Sequence, residues 1–181
     1  MHTLSGQRFE LGGTFCPSSR DVAIGLSRIP RWAGATIVPW SVLQHSLATH
    51  RVMVKVFSFS AGQVLRLRGL WHDCEEMATG DIPKPFKTGE QAVLGDELRA
   101  EIFCGATGLP WISSAYIYAA DALLRTAEAH CFCHPRARED HEGTLDMDVV
   151  DVIWKLFDLP VDDAIAQFVT LTDTLLEEIN G

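Results

Sequence analysis

The stretch Trp71-His72-Asp73-Cys74-Glu75-Glu76-Met77-Ala78-Thr79-Gly80-Asp81 places one imidazole and four carboxylates at the end of an otherwise apolar segment. In a helix, Glu76 lies four residues beyond His72, about 40° further around the axis, so the two share a face. Asp81 follows directly on Gly80, where a loop can turn it back over that face. If these groups point inward, their repulsion and desolvation call for a cation. If they point outward, the cluster is an ordinary solvated helix end. His45 and Asp121 bear on the choice. His45 is flanked by Leu43 and Leu47, and Asp121 is the one charge in Tyr116-Ile117-Tyr118-Ala119-Ala120-Asp121-Ala122-Leu123-Leu124. A carboxylate in such surroundings is either paired or a ligand. A single histidine on an apolar face is an ordinary core residue. Two anomalies on helices flanking a His-Asp pair point together toward a metal site.

The elements that must position these residues read as helices. Asp21 caps a helix through Ile29, with Val22, Ala23, Leu26 and Ile29 at helical spacing and Pro30 as its stop. The twenty residues before it, with Gly6, Gly12, Gly13 and Pro17, form an irregular lead-in, and residues 31–39 a loop. Ser41 caps a helix running to Phe57 that carries His45. Residues 61–78 form the helix that carries His72 and Asp73, with Val64, Leu65, Leu67, Leu70 and Trp71 on its core face and Gly80 ending it. Asp81-Ile82-Pro83-Lys84-Pro85 is then largely extended, because proline disfavours helix in the residue before it. Helices follow over residues 94–104 and 110–131, the second opening on Pro110, then a charged connection over 134–143. Two amphipathic helices, 146–157 and 161–179, close the chain and cover the core or form a subunit contact. Alternating apolar and polar runs are scarce. The expected fold is an all-α bundle of six or seven helices in a single domain spanning residues 1–181.

Composition sets outer bounds. With 181 residues the chain suffices for one domain and hardly for two. Fifteen Lys and Arg stand against 24 Asp and Glu, a formal charge of −9. That balance argues against broad binding to polymeric nucleic acid or to an anionic membrane, though not against a small anion held by local cations. No apolar run reaches the roughly 18 residues of a membrane span. The five cysteines are odd in number, and no secretory leader is apparent, so the expected location is cytoplasmic. Cys131-Phe132-Cys133-His134 lacks the spacing of a common zinc module.

The order His45, His72-Asp73, Asp121 resembles the H…HD…D pattern of the HD-domain metal-dependent phosphohydrolases. The stretches Arg31-Trp32-Ala33-Gly34, Ser41-Val42-Leu43-Gln44-His45-Ser46 and Gly80-Asp81-Ile82-Pro83-Lys84-Pro85-Phe86-Lys87 are similar to bacterial 5′-deoxynucleotidases and to phage HD-domain nucleotide hydrolases. The latter include deoxyadenosine triphosphate hydrolases, and the likeness covers residues 28–130. The resemblance implies an HD-type helical bundle. It makes His45, His72, Asp73 and Asp121 ligands of one divalent transition metal, Zn, Mn or Co, a donor set of two imidazoles and two carboxylates that suits such an ion.

Glu76 and Asp81 then match the family's catalytic acidic pair, and Arg31 and Trp32 a pair that contacts the nucleotide. Lys84 and Lys87 are candidates for the outer phosphates of a triphosphate or, equally, solvated loop lysines. Trp32 and Pro85 are candidates for holding a base, and Thr79 for a sugar or phosphate contact. The leading expectation is hydrolysis of a 2′-deoxynucleoside triphosphate to deoxynucleoside and triphosphate. The alternatives are a 5′-deoxynucleotidase acting on monophosphates and a non-catalytic nucleotide sensor. Family members are commonly homo-oligomers, so a homo-oligomer is expected.

Overall fold

Three helix starts are fixed by one device, a reciprocal pair of side-chain to backbone hydrogen bonds between the cap and the third helical residue. Ser18 pairs with Asp21 in this way, Ser41 with Gln44, and Thr88 with Gln91. The computed structural model describes residues 2–10, 15–57, 62–136 and 143–181, the side chain of Lys84 excepted. Among them are eight α-helices and no β-strand. These are α1 (Ser19–Ser27), α2 (Val42–Val56), α3 (Gln63–Leu70), α4 (Glu76–Thr79), α5 (Gly89–Thr107), α6 (Ala115–Phe132), α7 (Met147–Phe157) and α8 (Val161–Asn180). Gly12, Gly13, the expected helix start at Ala61 and residues 137–142 of the charged connection lie outside the described residues.

The bundle is built around α2, which packs on α1, α3, α6, α7 and α8. Every residue from His45 to His50 is buried, as expected of a helix enclosed on all sides. Leu43, Leu47, Val52 and Met53 join Leu67, Leu70, Leu124, Ile153 and Phe168 in one continuous core. Each such side chain contributes roughly 1.5–3 kcal/mol through burial. Gly69 lets α3 close on α2, since a Cβ there would lie 2.1 Å from Met53 Sδ. That contact brings the segment after α3 against the His45 face of α2.

Several element boundaries differ from expectation. The helix over 61–78 is two: α3 ends at Leu70, and residues 71–75 form tightened turns before α4. Cys74, Glu76 and Met77 each donate to the carbonyl three residues back, at 3.0, 3.0 and 3.4 Å. This accounts for the eighth helix. The tighter winding lets Trp71 enter the core, where its indole donates to Thr172 Oγ1 at 3.0 Å, while Glu75 turns to Arg99. Asp21 is the third residue of α1, and Ser18 is its cap. The helix expected over 94–104 starts earlier, at the Thr88 cap, and runs to Gly108, whose φ of 72° ends it. Pro110 opens no helix; α6 begins after Ser114. No helix among the described residues is long and apolar enough to cross a membrane.

Candidate metal centre

Four side chains from three parts of the chain meet beside the first turn of α2. His45 lies on α2, His72 and Asp73 on the turns after α3, and Asp121 on α6. His45 Nε2 is 3.5 Å from Asp73 Oδ2 and 3.3 Å from Asp121 Oδ1. His72 Nε2 is 3.2 Å from Asp73 Oδ2. One ligand atom each from His45, His72 and Asp121 falls within 4.8 Å of the others. Ligand atoms about 2.1 Å from a shared ion stand roughly 3–3.5 Å apart, the spacing of the two contacts through Asp73 and of the His45–Asp121 contact.

The outer nitrogens fix both rings. His45 Nδ1 donates to Glu128 Oε1 at 2.7 Å, and His72 Nδ1 donates to the Gly69 carbonyl at 2.9 Å. Each bond occupies Nδ1 and turns Nε2 toward the cluster, where a neutral ring offers its lone pair to a cation and a protonated one donates to the carboxylates. Both Nε2 atoms are buried and have no hydrogen-bond partner. Two orphaned imidazole nitrogens facing two carboxylates fit a cation.

The electrostatics point the same way. Burial and Arg31 disfavour the charged form of His45, yet Glu128 and Asp121 carry its pKa up to about 9. Burial opposes ionisation of Asp121 as well, but His45 and His72 hold it at about 2. Asp73, despite burial, is kept well below the usual carboxylate range by His72, His45 and Arg31. Glu76 goes the other way: burial, with Asp73, Asp81 and Glu75 nearby, pushes it well above its ordinary value. Its Oε2 is buried without a partner.

The single helix expected to carry His72 and Glu76 breaks, with His72 on the turns and Glu76 opening α4. The turns instead set Glu76 near Asp73 and Asp81. Gly80, at φ 75°, redirects the chain so that Asp81 comes back over the cluster. There Asp81 Oδ2 accepts the Trp32 backbone N–H at 3.0 Å and lies 3.4 Å from Arg31 Nη1.

Arg31 is buried among three carboxylates. It lies 3.9 Å from Asp73 Oδ2 and 3.7 Å from Glu128 Oε2, besides Asp81. Burial disfavours its charge, but those acids raise its pKa above the ordinary guanidinium value. The next two residues, Trp32 and Ala33, hold φ of 59° and 50°, a conformation that costs side-chain-bearing residues about 1–3 kcal/mol each. The contact of Trp32 N–H with Asp81 and the bond from Arg31 N–H to the Trp40 carbonyl, at 2.8 Å, hold the segment in place.

Glu128 was not foreseen and is central. It is fully buried and accepts from His45 Nδ1, from Trp40 Nε1 at 2.7 Å and from Trp32 Nε1 at 3.2 Å. Burial opposes its ionisation, but His45 and Arg31 lower its pKa below the ordinary value. Trp40 is buried in the core and also positions this carboxylate.

A cavity of about 210 Å³ opens onto the cluster from the side of α5 and α6. His72, Asp73 and Asp121 lie on its wall with Lys87, Arg99, Arg125, Trp111 and Tyr118. Of the expected substrate contacts, Lys87 faces this cavity. Arg31, Trp32, Thr79 and Pro85 do not line it. Thr79 Oγ1 bonds its own helix at the Glu75 carbonyl, 3.3 Å away. Pro85 is exposed in a 3₁₀ turn, Lys84–Phe86. The side chain of Lys84 lies outside the described residues.

The chain belongs to the family of the uncharacterized protein RCAP_rcc00048 of Rhodobacter capsulatus: the two are 33% identical over 140 residues, 70% of this chain and 69% of the relative. It is also 32% identical over 113 residues to the uncharacterized protein YfdR of Escherichia coli. That match covers 60% of this chain and 57% of YfdR, so the chain spans little more than half of that relative's length. No protein-family model matches the chain. Neither relative's name carries an activity.

Proposed function

We propose that this protein is a metal-dependent phosphohydrolase that cleaves a 2′-deoxynucleotide at its α-phosphate and releases the deoxynucleoside. One observation carries the reading: His45, His72, Asp73 and Asp121 converge with two buried Nε2 atoms that have no partner. These four would hold a divalent transition metal such as Zn, Mn or Co. Such an ion, when bound, lowers the pKa of its water and draws charge from phosphoryl oxygens.

The chain's own groups supply the rest. Glu76, at the edge of the cluster, orients the attacking water and takes its proton. The elevated pKa it has without a cation falls when positive charge stands beside Asp73. Water oxygen bonds to the α-phosphorus, the P–O5′ bond breaks, and the departing oxygen receives a proton, a role we assign to Asp81 in its protonated form. Arg31 holds Asp81, Asp73 and Glu128 in register rather than reaching into the cavity. A triphosphate would yield triphosphate as the second product, and a monophosphate inorganic phosphate. The small cavity, about 210 Å³, favours the second. A non-catalytic sensor is disfavoured by Glu76 and Asp81, since binding alone needs neither. We further read the protein as a cytoplasmic homo-oligomer, with a net charge of −9 that keeps polymeric nucleic acid away.

The test is metal content by mass spectrometry beside turnover of dNMPs and dNTPs with Mn or Co. Asp121→Ala is expected to lose both metal and turnover. Glu76→Ala is expected to keep the metal and lose turnover by more than about a hundredfold. A fully metallated wild-type protein that hydrolyses no deoxynucleotide would overturn the proposal.

A further inference from the structure

We propose that the larger cavity of the bundle, between α2 and α8, is a binding site for an organic monocarboxylate with an apolar body. Arg51 takes the carboxylate, and Leu159, Ala166 and Leu171 receive the body. The site is separate from the metal cluster and does not depend on the phosphohydrolase reading.

The cavity measures about 520 Å³, within the roughly 300–1,000 Å³ of sites that enclose drug-sized ligands. None of its lining residues borders the cavity at the metal cluster. Charge sets the sign of its ligand. The chain carries 24 Asp and Glu against 15 Lys and Arg, yet both arginines around His50 stand without an acid. Arg51, on the cavity wall, forms no ion pair among the described residues, and its hydrogen bond there runs from Nη2 to the neutral Gln167 Oε1 at 2.8 Å. Burial lowers its pKa below the ordinary guanidinium value, with no carboxylate opposing the shift. Arg66, on α3, likewise forms no ion pair among the described residues, and its Nε is buried without a hydrogen-bond partner. Its charge and that of Arg51 both act on His50. The His50 ring lies on the cavity wall, 7% exposed, and neither of its nitrogens has a partner. An imidazole carries at least one N–H, which calls for an acceptor when buried. Two guanidinium groups and that N–H thus supply donors and positive potential with no anion to answer them.

The rest of the wall selects the class of anion. Leu159 and Leu171 are half-buried against the core, and with Ala166 they offer the cavity an apolar surface. A ligand body that covers this surface removes it from water, which favours binding. Asp163 also lines the cavity and forms no ion pair among the described residues. Its charge repels a multiply charged phosphate more strongly than a single carboxylate. With Nη2 held by Gln167, the planar fork of Arg51 keeps further N–H groups for a ligand. A planar carboxylate is the anion that such a fork binds through two parallel hydrogen bonds.

The experiment is titration calorimetry at low salt on the full chain, with octanoate as the probe and octanol, octylammonium and inorganic phosphate beside it. Octanoate is expected to occupy one site per chain with a Kd of about 1 mM or tighter. Octanol and phosphate each lack one half of the ligand and bind at least about tenfold more weakly. Arg51→Gln raises the Kd for octanoate about tenfold or more, and Arg51→Lys recovers part of the loss. Asp163→Asn removes the repelling charge and tightens octanoate binding by a smaller factor. Ala166→Phe fills the cavity from an exposed position and abolishes binding, while the circular dichroism and Tm stay at their wild-type values. Metal content is unchanged in every variant, because none of these residues touches the cluster. Absence of octanoate binding to wild type, or equal affinity in wild type and Arg51→Gln, overturns the proposal. So does octanol, phosphate or octylammonium binding as tightly as octanoate, since the site would then ignore the charge, ignore the apolar body or answer Asp163 instead of Arg51. If Arg51→Gln does not fold, the decision falls to Ala166→Phe, where undiminished octanoate affinity overturns the site.

Discussion

His45 and His50 lie five residues apart on α2, both buried, and their surroundings push them in opposite directions. Burial works against charge on each ring. At His45 the carboxylates of Glu128 and Asp121 override it, and the pKa rises to about 9. At His50, Arg66 and Arg51 add to burial, and the pKa falls to about 4. Five residues rotate the helix by roughly 140°, which turns one ring to the acidic side of the bundle and the other to its basic side. His50 borders the larger cavity, about 520 Å³, where Arg51 Nη2 donates to Gln167 Oε1 at 2.8 Å. The acids that could answer a cation stand around the smaller cavity. Neither burial nor cavity size marks the site; the balance of charge around each buried ring does.

The sharpest way to break the comparison is to remove His45. His45→Asn takes one of two imidazoles from the cluster and leaves Asp73 and Asp121 facing each other with less to hold a cation. Metal content is expected to fall to background, and turnover by more than about a thousandfold. His50→Asn, made beside it, is expected to keep the metal. If both variants retain metal, or both lose it while folded, the contrast between the two faces of α2 fails.

Glu128 sharpens the same contrast at intermediate strength, since it defines the acidic side without touching the ion. Glu128→Gln keeps an oxygen for the Nδ1–H of His45 but removes the charge that balances Arg31. Loss of such an outer partner costs about 10–100-fold in metal affinity or activity. Metal titration by calorimetry measures it, and an unchanged affinity would show that the carboxylate only fills space.

Glu128 also marks how far the amino-acid sequence could be read. The residues that converge in the cluster are legible because each breaks a rule: a histidine between leucines, a carboxylate in an apolar helix, an imidazole beside an aspartate. Glu128 breaks the same rule, following Asp121 by seven residues and so on the same helical face. Arg125 and His130 nonetheless give its neighbourhood the pattern of a solvated face. The all-helical class was legible too, as was the Ser41 cap that places His45. The break at residues 71–75 was not, because no glycine or proline lies inside it; tertiary demands from Trp71 and Glu75 impose it. Thr88 with Gln91 is a further cap that the residue types display. Arg125, Trp111 and Tyr118 share no spacing that a sequence displays, since they meet only where α5 and α6 come together.

The smallest effect concerns stability alone and belongs to His50. Its folded pKa of about 4 lies below the value of about 6.5 expected for an unfolded chain. Between those values the unfolded state binds more protons, so stability falls as the pH drops through that window. The charged groups nearest the ring, Arg51 and Arg66, repel the added proton. Asp163, which lines the same cavity, does not offset them. By about pH 5.5 the loss from this one group is about 1 kcal/mol. His50→Leu removes the titration together with two buried nitrogens that have no partner, and so is neutral or slightly stabilising near pH 7. Urea unfolding of both proteins at about pH 7 and pH 5.5 measures the difference. The variant is expected to lose less stability than wild type on acidification, with metal content equal in the two. Equal losses would mean that the ring at position 50 protonates in the folded protein as readily as in the unfolded one, and that the basic side of α2 exerts no such force.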